Sequence, residues 1–133
     1  LAAHFVQHPD WFDVVVASNL FGDILSDLGP AIVGGMGIAA GANLNPEKTY
    51  PSMFEPVHGS APDIAGKNVA NPIACFWTAK MMLDHLGETE GANLLMSSIE
   101  DTLKEGSITT SDLGGTASTQ DMTNAILKSL QTK

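Results

Sequence analysis

Between residues 58 and 72 the chain reads His58-Gly59-Ser60-Ala61-Pro62-Asp63-Ile64-Ala65-Gly66-Lys67 and closes with Ala70-Asn71-Pro72. Gly59 and Gly66 permit backbone angles that side chains disfavour, and Pro62 fixes one φ and removes one donor. The path is therefore bent and rigid. His58, Ser60, Asp63, Lys67 and Asn71 put five polar side chains within fourteen positions, on a segment too irregular to sit in a strand ladder. Their hydrogen bonds go either to water, as on a surface Asx/Pro turn, or to a ligand, and the residues alone allow both. The segment also divides the chain: a helix with two acids, Asp23 and Asp27, precedes it, and helical patterns follow it to the C-terminus.

Leu1 to Gln7 reads as a helix stopped near Pro9. The β-branched run Phe12-Asp13-Val14-Val15-Val16-Ala17 predicts a buried strand. Ser18 and Asn19 are good N-cap types, and Leu20, Ile24, Leu28 and Ile32 follow at four-residue spacing for a helix over about 20–33, ended by Gly34 and Gly35. Short strands are expected over 38–44 and 52–57, with Asn45 to Lys48 as a loop between them. Pro72 suits the first turn of a helix to about His85, with Ile73, Phe76, Trp77, Met81 and Leu83 packed and Gly87 as its stop. A further helix runs from Thr89 to Lys104 on the stripe Ala92, Leu95, Met96, Ile99 and Leu103, with Gly106 as its C-cap. The last spans Ser118 to Leu130 with Met122, Ala125, Ile126 and Leu130 inward.

A chain of 133 residues can build one core, but Leu1-Ala2-Ala3-His4-Phe5 has no initiator Met and opens inside a helical pattern, as a piece of something longer would. Fifteen acids against six bases give a net charge of -9, which repels phosphate backbones and anionic membranes. Neither nucleic acid nor a membrane is an expected partner. Cys75 is the only cysteine, so no intrachain disulfide or thiol-rich zinc site can form, and a reducing, cytoplasmic setting is expected. Its place in an apolar helical run predicts a buried small hydrophobe. The uncharged run Leu28 to Pro46 is broken by five glycines and two prolines, so it is no membrane helix.

Asp23 and Asp27 stand four apart on one helix face, where like charges cost roughly 0.2–0.5 kcal/mol. A divalent cation would offset that repulsion, and hard oxygen donors favour Mg²⁺ or Mn²⁺. A solvated acidic face is the alternative. Gly35-Met36-Gly37-Ile38-Ala39-Ala40-Gly41 is not a dinucleotide fingerprint, because its spacing is off by one and a helix precedes it where a strand is required. It is expected to be a tight turn that lets backbone segments approach. His4, His8 and His85 each stand alone as surface or capping residues, and Asp112-Leu113-Gly114-Gly115 is a turn by its chemistry, with a smaller chance of touching a ligand.

Taken together, Asn19-Leu20-Phe21-Gly22-Asp23-Ile24-Leu25-Ser26-Asp27 and the run Phe54 to Lys67 closely resemble the β-decarboxylating dehydrogenases, the family of isopropylmalate, isocitrate, tartrate and D-malate dehydrogenases. The resemblance covers all 133 residues and corresponds to the C-terminal part of a member. Pro51 to Pro56 and Phe76 to Gly87 look more like the tartrate and D-malate branch.

The resemblance implies an α/β, isopropylmalate/isocitrate dehydrogenase-like fold, present here as a C-terminal fragment with short strands and several helices. Residues 1–22 would end the middle, dimer-side domain, and residues 23–133 would form the C-terminal part of the cofactor-binding domain. It implies that Asp23 and Asp27 bind Mg²⁺ or Mn²⁺, and that Glu55, His58, Gly59, Ser60, Ala61, Asp63, Ile64 and Asn71 hold a nicotinamide cofactor. Glu55 would lie nearer the nicotinamide ribose. Asp63 would accept from the adenosine ribose hydroxyls and repel a 2′-phosphate where NADP-using relatives place a Lys-Tyr pair, so NAD is expected. The implied reaction is oxidation and decarboxylation of a small 2-hydroxy diacid, tartrate or D-malate first and 3-isopropylmalate next, by a homodimeric parent. The family's substrate-gripping arginines and catalytic Tyr and Lys lie upstream, so no catalytic residue is expected within this chain. A non-catalytic nucleotide-binding or regulatory subunit of the same fold is the rival reading.

Overall fold

The computed structural model describes all 133 residues. Five helices, α1 (Ala2–Gln7), α2 (Asn19–Val33), α3 (Ile73–Leu86), α4 (Thr89–Glu105) and α5 (Thr119–Gln131), accompany two strands, β1 (Ala40–Asn43) and β2 (Met53–Pro56). Short 3₁₀ turns stand at Pro9–Trp11, Met36–Ile38 and Ser111–Leu113.

The core lies among the last three helices. Ile73 from α3, Ile99 from α4, and Met122 and Ile126 from α5 form a closed cluster, with Ile38, Phe76, Trp77, Met96, Ile108 and Leu113 packed around it. Gly87 and Gly106 end α3 and α4 in the left-handed conformation, at φ 88° and 67°, where glycine avoids the Cβ penalty. Ser118 opens α5 with a capping box: its hydroxyl accepts from Asp121 N–H at 3.1 Å while Asp121 Oδ2 accepts from Ser118 N–H at 3.0 Å. The Ser118 hydroxyl and then its backbone N–H hold the Asp121 carboxyl below its ordinary value. That depressed folded-state value means the cap's contribution is present above the ordinary carboxylate range and is lost as pH falls from that range through the lower folded-state value.

β1 and β2 pair antiparallel, with Gly41 opposite Glu55 and Ala42 opposite Phe54, and Val57 N–H extends the ladder to Ala39 C=O at 3.0 Å. This hairpin packs on α3, so β2 delivers the chain into the 58–71 loop from a fixed position.

Three expectations are corrected. Phe12 to Ala17 forms no strand, because the only two strands pair with each other and leave it no ladder; Val14 and Val16 are 85% and 94% exposed. Cys75 is exposed, since the inward face of α3 at this level is taken by Ile73, Ala74 and Thr78. The four-residue stripe of α2 is open to solvent at Leu20, Ile24 and Ile32, and only Leu25 is buried there. Pro30 sits inside α2 without ending it, and Gly34 terminates the helix. No helix is long and apolar enough to cross a membrane.

Ile126→Ala is expected to cost about 2–5 kcal/mol, as for other fully buried aliphatic truncations. The same change at half-exposed Leu127 should cost well under half of that in a denaturant titration.

Candidate functional site: a loop-walled cleft and an acidic helix face

From β2 the chain passes through two tight turns, closed by Ile64 N–H to Ala61 C=O at 3.0 Å and Lys67 N–H to Ile64 C=O at 3.1 Å. Ala61 and Asn68 adopt positive φ of 42° and 58°, and Gly66 one of 75°. The loop's far end is tied to the start of α5: Thr119 N–H donates to Asn68 C=O at 3.0 Å, Gln120 N–H to Asn68 Oδ1 at 3.2 Å, and the Thr119 hydroxyl to Ala70 C=O. Asn71 is buried, and its Oδ1 accepts from Ile73 N–H at 2.9 Å, so it caps α3 in place of the missing preceding turn.

A cleft of about 640 Å³ opens between this loop and two other segments. The loop contributes His58, Gly59, Ser60, Ala61, Ile64 and the stretch from Asn68 to Asn71; Met36 and Gly37 form a second wall, and Ser111, Asp112 and Thr119 a third. That volume falls in the range of roughly 300–1,000 Å³ common for small-molecule sites. Six of the eight residues expected to hold a cofactor therefore face one space. Asp63 is exposed beside the lining residue Ile64 and stands at the rim, while Glu55 lies back on β2 and does not line the cleft.

Gly37 shows why the glycine-rich segment after α2 is needed. A Cβ there would stand 2.5 Å from Asp112 Oδ2 and 3.0 Å from Asn71 Cβ, so a side chain at 37 would force the walls apart. The tight-turn expectation for residues 35–41 holds at Met36–Ile38, whereas Ala40 and Gly41 belong to β1. Asp112, Ser111, Thr119, Gly37 and Asn68 were not singled out as binding residues by sequence reasoning. The turn chemistry of Asp112 to Gly115 was its one hint, because what brings 37, 71 and 112 together is tertiary.

Asp23 and Asp27 sit exposed one turn apart on α2. Neither carboxylate accepts a hydrogen bond or pairs with a lysine; the ion pairs of the chain are Lys80–Asp84 and Lys133–Asp101. No third His, Cys, Asp or Glu stands near enough to complete a metal site. The donor set is two free hard oxygens groups, which fits part of the shell of a divalent cation and no more. His85 is not solitary as expected: Ser52 Oγ lies 3.1 Å from its Nε2 and Phe54 stands 5.5 Å away, which fixes the loop before β2 on α3.

A family described as isocitrate/isopropylmalate dehydrogenase matches residues 1–126, and the chain belongs to that family. Within it the similarity runs to the D-malate and tartrate branch. The D-malate dehydrogenase (decarboxylating) of Escherichia coli strain K12 is 57% identical over 133 residues, covering 96% of this chain and 37% of that protein. The probable tartrate dehydrogenase/decarboxylase of Bacillus subtilis strain 168 is 54% identical over 131 residues, covering 98% and 37%. Among solved structures, isocitrate dehydrogenase from Methylococcus capsulatus superposes with a TM-score of 0.91 at 42% identity, over 98% of this chain and 38% of that one. The chain thus spans a little over a third of the length of these relatives.

The loop's backbone makes a separate prediction. Gly66→Ala, at φ 75° with open space around it, should destabilise by about 1–2 kcal/mol. Ala61→Gly should leave the melting temperature unchanged or raise it, a contrast that differential scanning calorimetry reads directly.

Proposed function

We propose that this chain supplies the adenosine cleft and two metal ligands of an NAD-dependent, Mg²⁺- or Mn²⁺-dependent dehydrogenase that oxidises and decarboxylates a small 2-hydroxy diacid. The observation that carries the reading is the cleft's lining: backbone groups, hydroxyls, two asparagine amides, the His58 imidazole, small apolar side chains and one carboxylate, with no lysine or arginine. A flat base can lie on Ile64 and Ala61 while its sugar meets donors and acceptors, whereas a 2′-phosphate would find no lysine or arginine on these walls to neutralise it. Asp63 at the rim would accept from both ribose hydroxyls, and Glu55 would lie toward the nicotinamide end.

Asp23 and Asp27 would hold the cation from the helix side. When bound, such a cation polarises the substrate's oxygen and stabilises the negative charge left as CO₂ departs. The two aspartates need no proton transfer of their own. They would orient the ion, whose charge relieves their mutual repulsion. Since the chain contains no arginine, the bidentate grip that a diacid calls for would come from residues outside these 133. The names of the relatives favour D-malate or tartrate as substrate, with 3-isopropylmalate next.

Residues 1–22 would close the middle domain of the parent, and the open apolar side chains Val14, Val16, Leu20, Phe21 and Ile24 support a homodimer in which they are covered. The single free thiol fits a cytoplasmic setting. An acid pair without counter-ions favours the catalytic reading over a regulatory subunit, which has no need to tolerate that repulsion.

Asp27→Asn should raise stability slightly in the presence of a chelator, by about 0.2–0.5 kcal/mol, because it removes a like charge. The same variant should abolish the Mn²⁺-dependent rise in melting temperature of the full-length protein; a Mn²⁺ response equal to wild type would return both acids to a solvated face. Asp63→Lys combined with Ile64→Tyr is expected to move the kcat/KM preference of the full-length enzyme toward NADP by at least tenfold, roughly one cation's interaction with the 2′-phosphate. An unchanged NAD to NADP ratio would contradict the assignment of this loop.

A further inference from the structure

At the cleft's third wall three segments distant in sequence converge on one exposed carboxylate. Asp112 Oδ1 accepts from Thr110 Oγ1 at 2.6 Å, and its Oδ2 accepts from Asn71 Nδ2 at 2.9 Å. The Asn71 amide cannot turn over, because its Oδ1 is committed to Ile73 N–H at 2.9 Å and a flip would set N–H against N–H. On the third side Gly37 approaches until an added Cβ would lie 2.5 Å from Asp112 Oδ2. Thr110 is wholly buried and anchors the far side of the carboxylate in the protein body.

We propose that Asp112 is a positioning residue for the nucleotide: its carboxylate clasps the end of the 58–71 loop to the 110–113 turn and so sets the spacing of the cleft's walls. The inference rests on the nucleotide reading of that cleft. No lysine pairs with Asp112, so Thr110 and Asn71 are its side-chain partners. The geometry does not require the charge. Asparagine at 112 can accept from Asn71 Nδ2 through its oxygen and donate to Thr110 Oγ1 through its amide. Alanine can do neither, and it leaves the Asn71 N–H group without its partner.

The test uses the full-length protein with Asp112→Ala, Asp112→Asn, Asn71→Ala, the double alanine variant and Gly37→Ala. Amide hydrogen exchange over residues 64–73 is measured without cofactor, and NAD affinity is measured by titration calorimetry. Asp112→Ala should speed exchange and weaken NAD binding about tenfold, the loss expected when two side-chain hydrogen bonds are removed together. Asp112→Asn should restore both. Gly37→Ala should repeat the loss without removing either partner, and the double variant should bind no worse than the poorer single. If Asp112→Ala fails to fold, the contrast between Asp112→Asn and Gly37→Ala decides the question alone. Unchanged exchange overturns the clasp whatever NAD does. Faster exchange with unchanged NAD affinity overturns the positioning role, and additive losses in the double variant overturn it in favour of direct contact between Asp112 and the cofactor. A wild-type protein that binds no NAD, yet shows faster exchange in Asp112→Ala, refutes the nucleotide reading and the positioning role while leaving the clasp itself in place.

Discussion

Burying Ile73 at 1% exposure means that α3 begins inside the core, where the first N–H groups of the helix have little water to turn to. Asn71 Oδ1 satisfies one of them, at Ile73, and its Nδ2 reaches across to Asp112. One side chain thus joins the packed helices to the third wall of the cleft. Everything that gives the 58–71 loop a fixed shape follows from this attachment. β2 delivers the loop from the hairpin, Asn71 and Asn68 hold its exit against α3 and α5, and the turns between are free to adopt positive φ because both ends are secured. Strain of this kind persists only where surrounding structure over-determines it.

The two functional poles differ in their physical character. The cleft is walled by three segments of this chain. The acid pair on α2 is open, unpaired and far short of a full coordination shell. Most of the apolar surface near it, from Val14 to Ile24, is exposed as well. On the proposed reading, this third of the relatives' length would carry the cofactor cleft, whereas a site for metal and diacid would draw on further residues.

Much of this was legible in the sequence, for definite reasons. The apolar stripe of α5, that of α4 apart from exposed Leu103, and the stop signals Gly87 and Gly106 hold because those helices pack on one another, whereas the equally regular stripe of α2 has no such partner. The long loop motif fixed the family and most of the cleft's near wall. What could not be read was tertiary. Val14 to Val16 has strand chemistry but no partner strand, so composition misled. Cys75 lies in an apolar run whose inward positions are claimed by its neighbours. Asp112 carries no local mark beyond turn chemistry; its role depends on Gly37 and Asn71 arriving from 75 and 41 positions away.

The central claim is that the cleft between the 58–71 loop and the 111–119 segment takes the adenosine half of NAD while Asp23 and Asp27 hold a divalent cation. A crystal structure of the full-length protein grown with NAD and Mn²⁺ addresses both halves together. The account predicts adenine against Ile64 and Ala61, ribose hydroxyls on Asp63, and Mn²⁺ bonded to both aspartates. Adenosine seated elsewhere with this cleft holding only water, or Mn²⁺ bound away from α2, would contradict it.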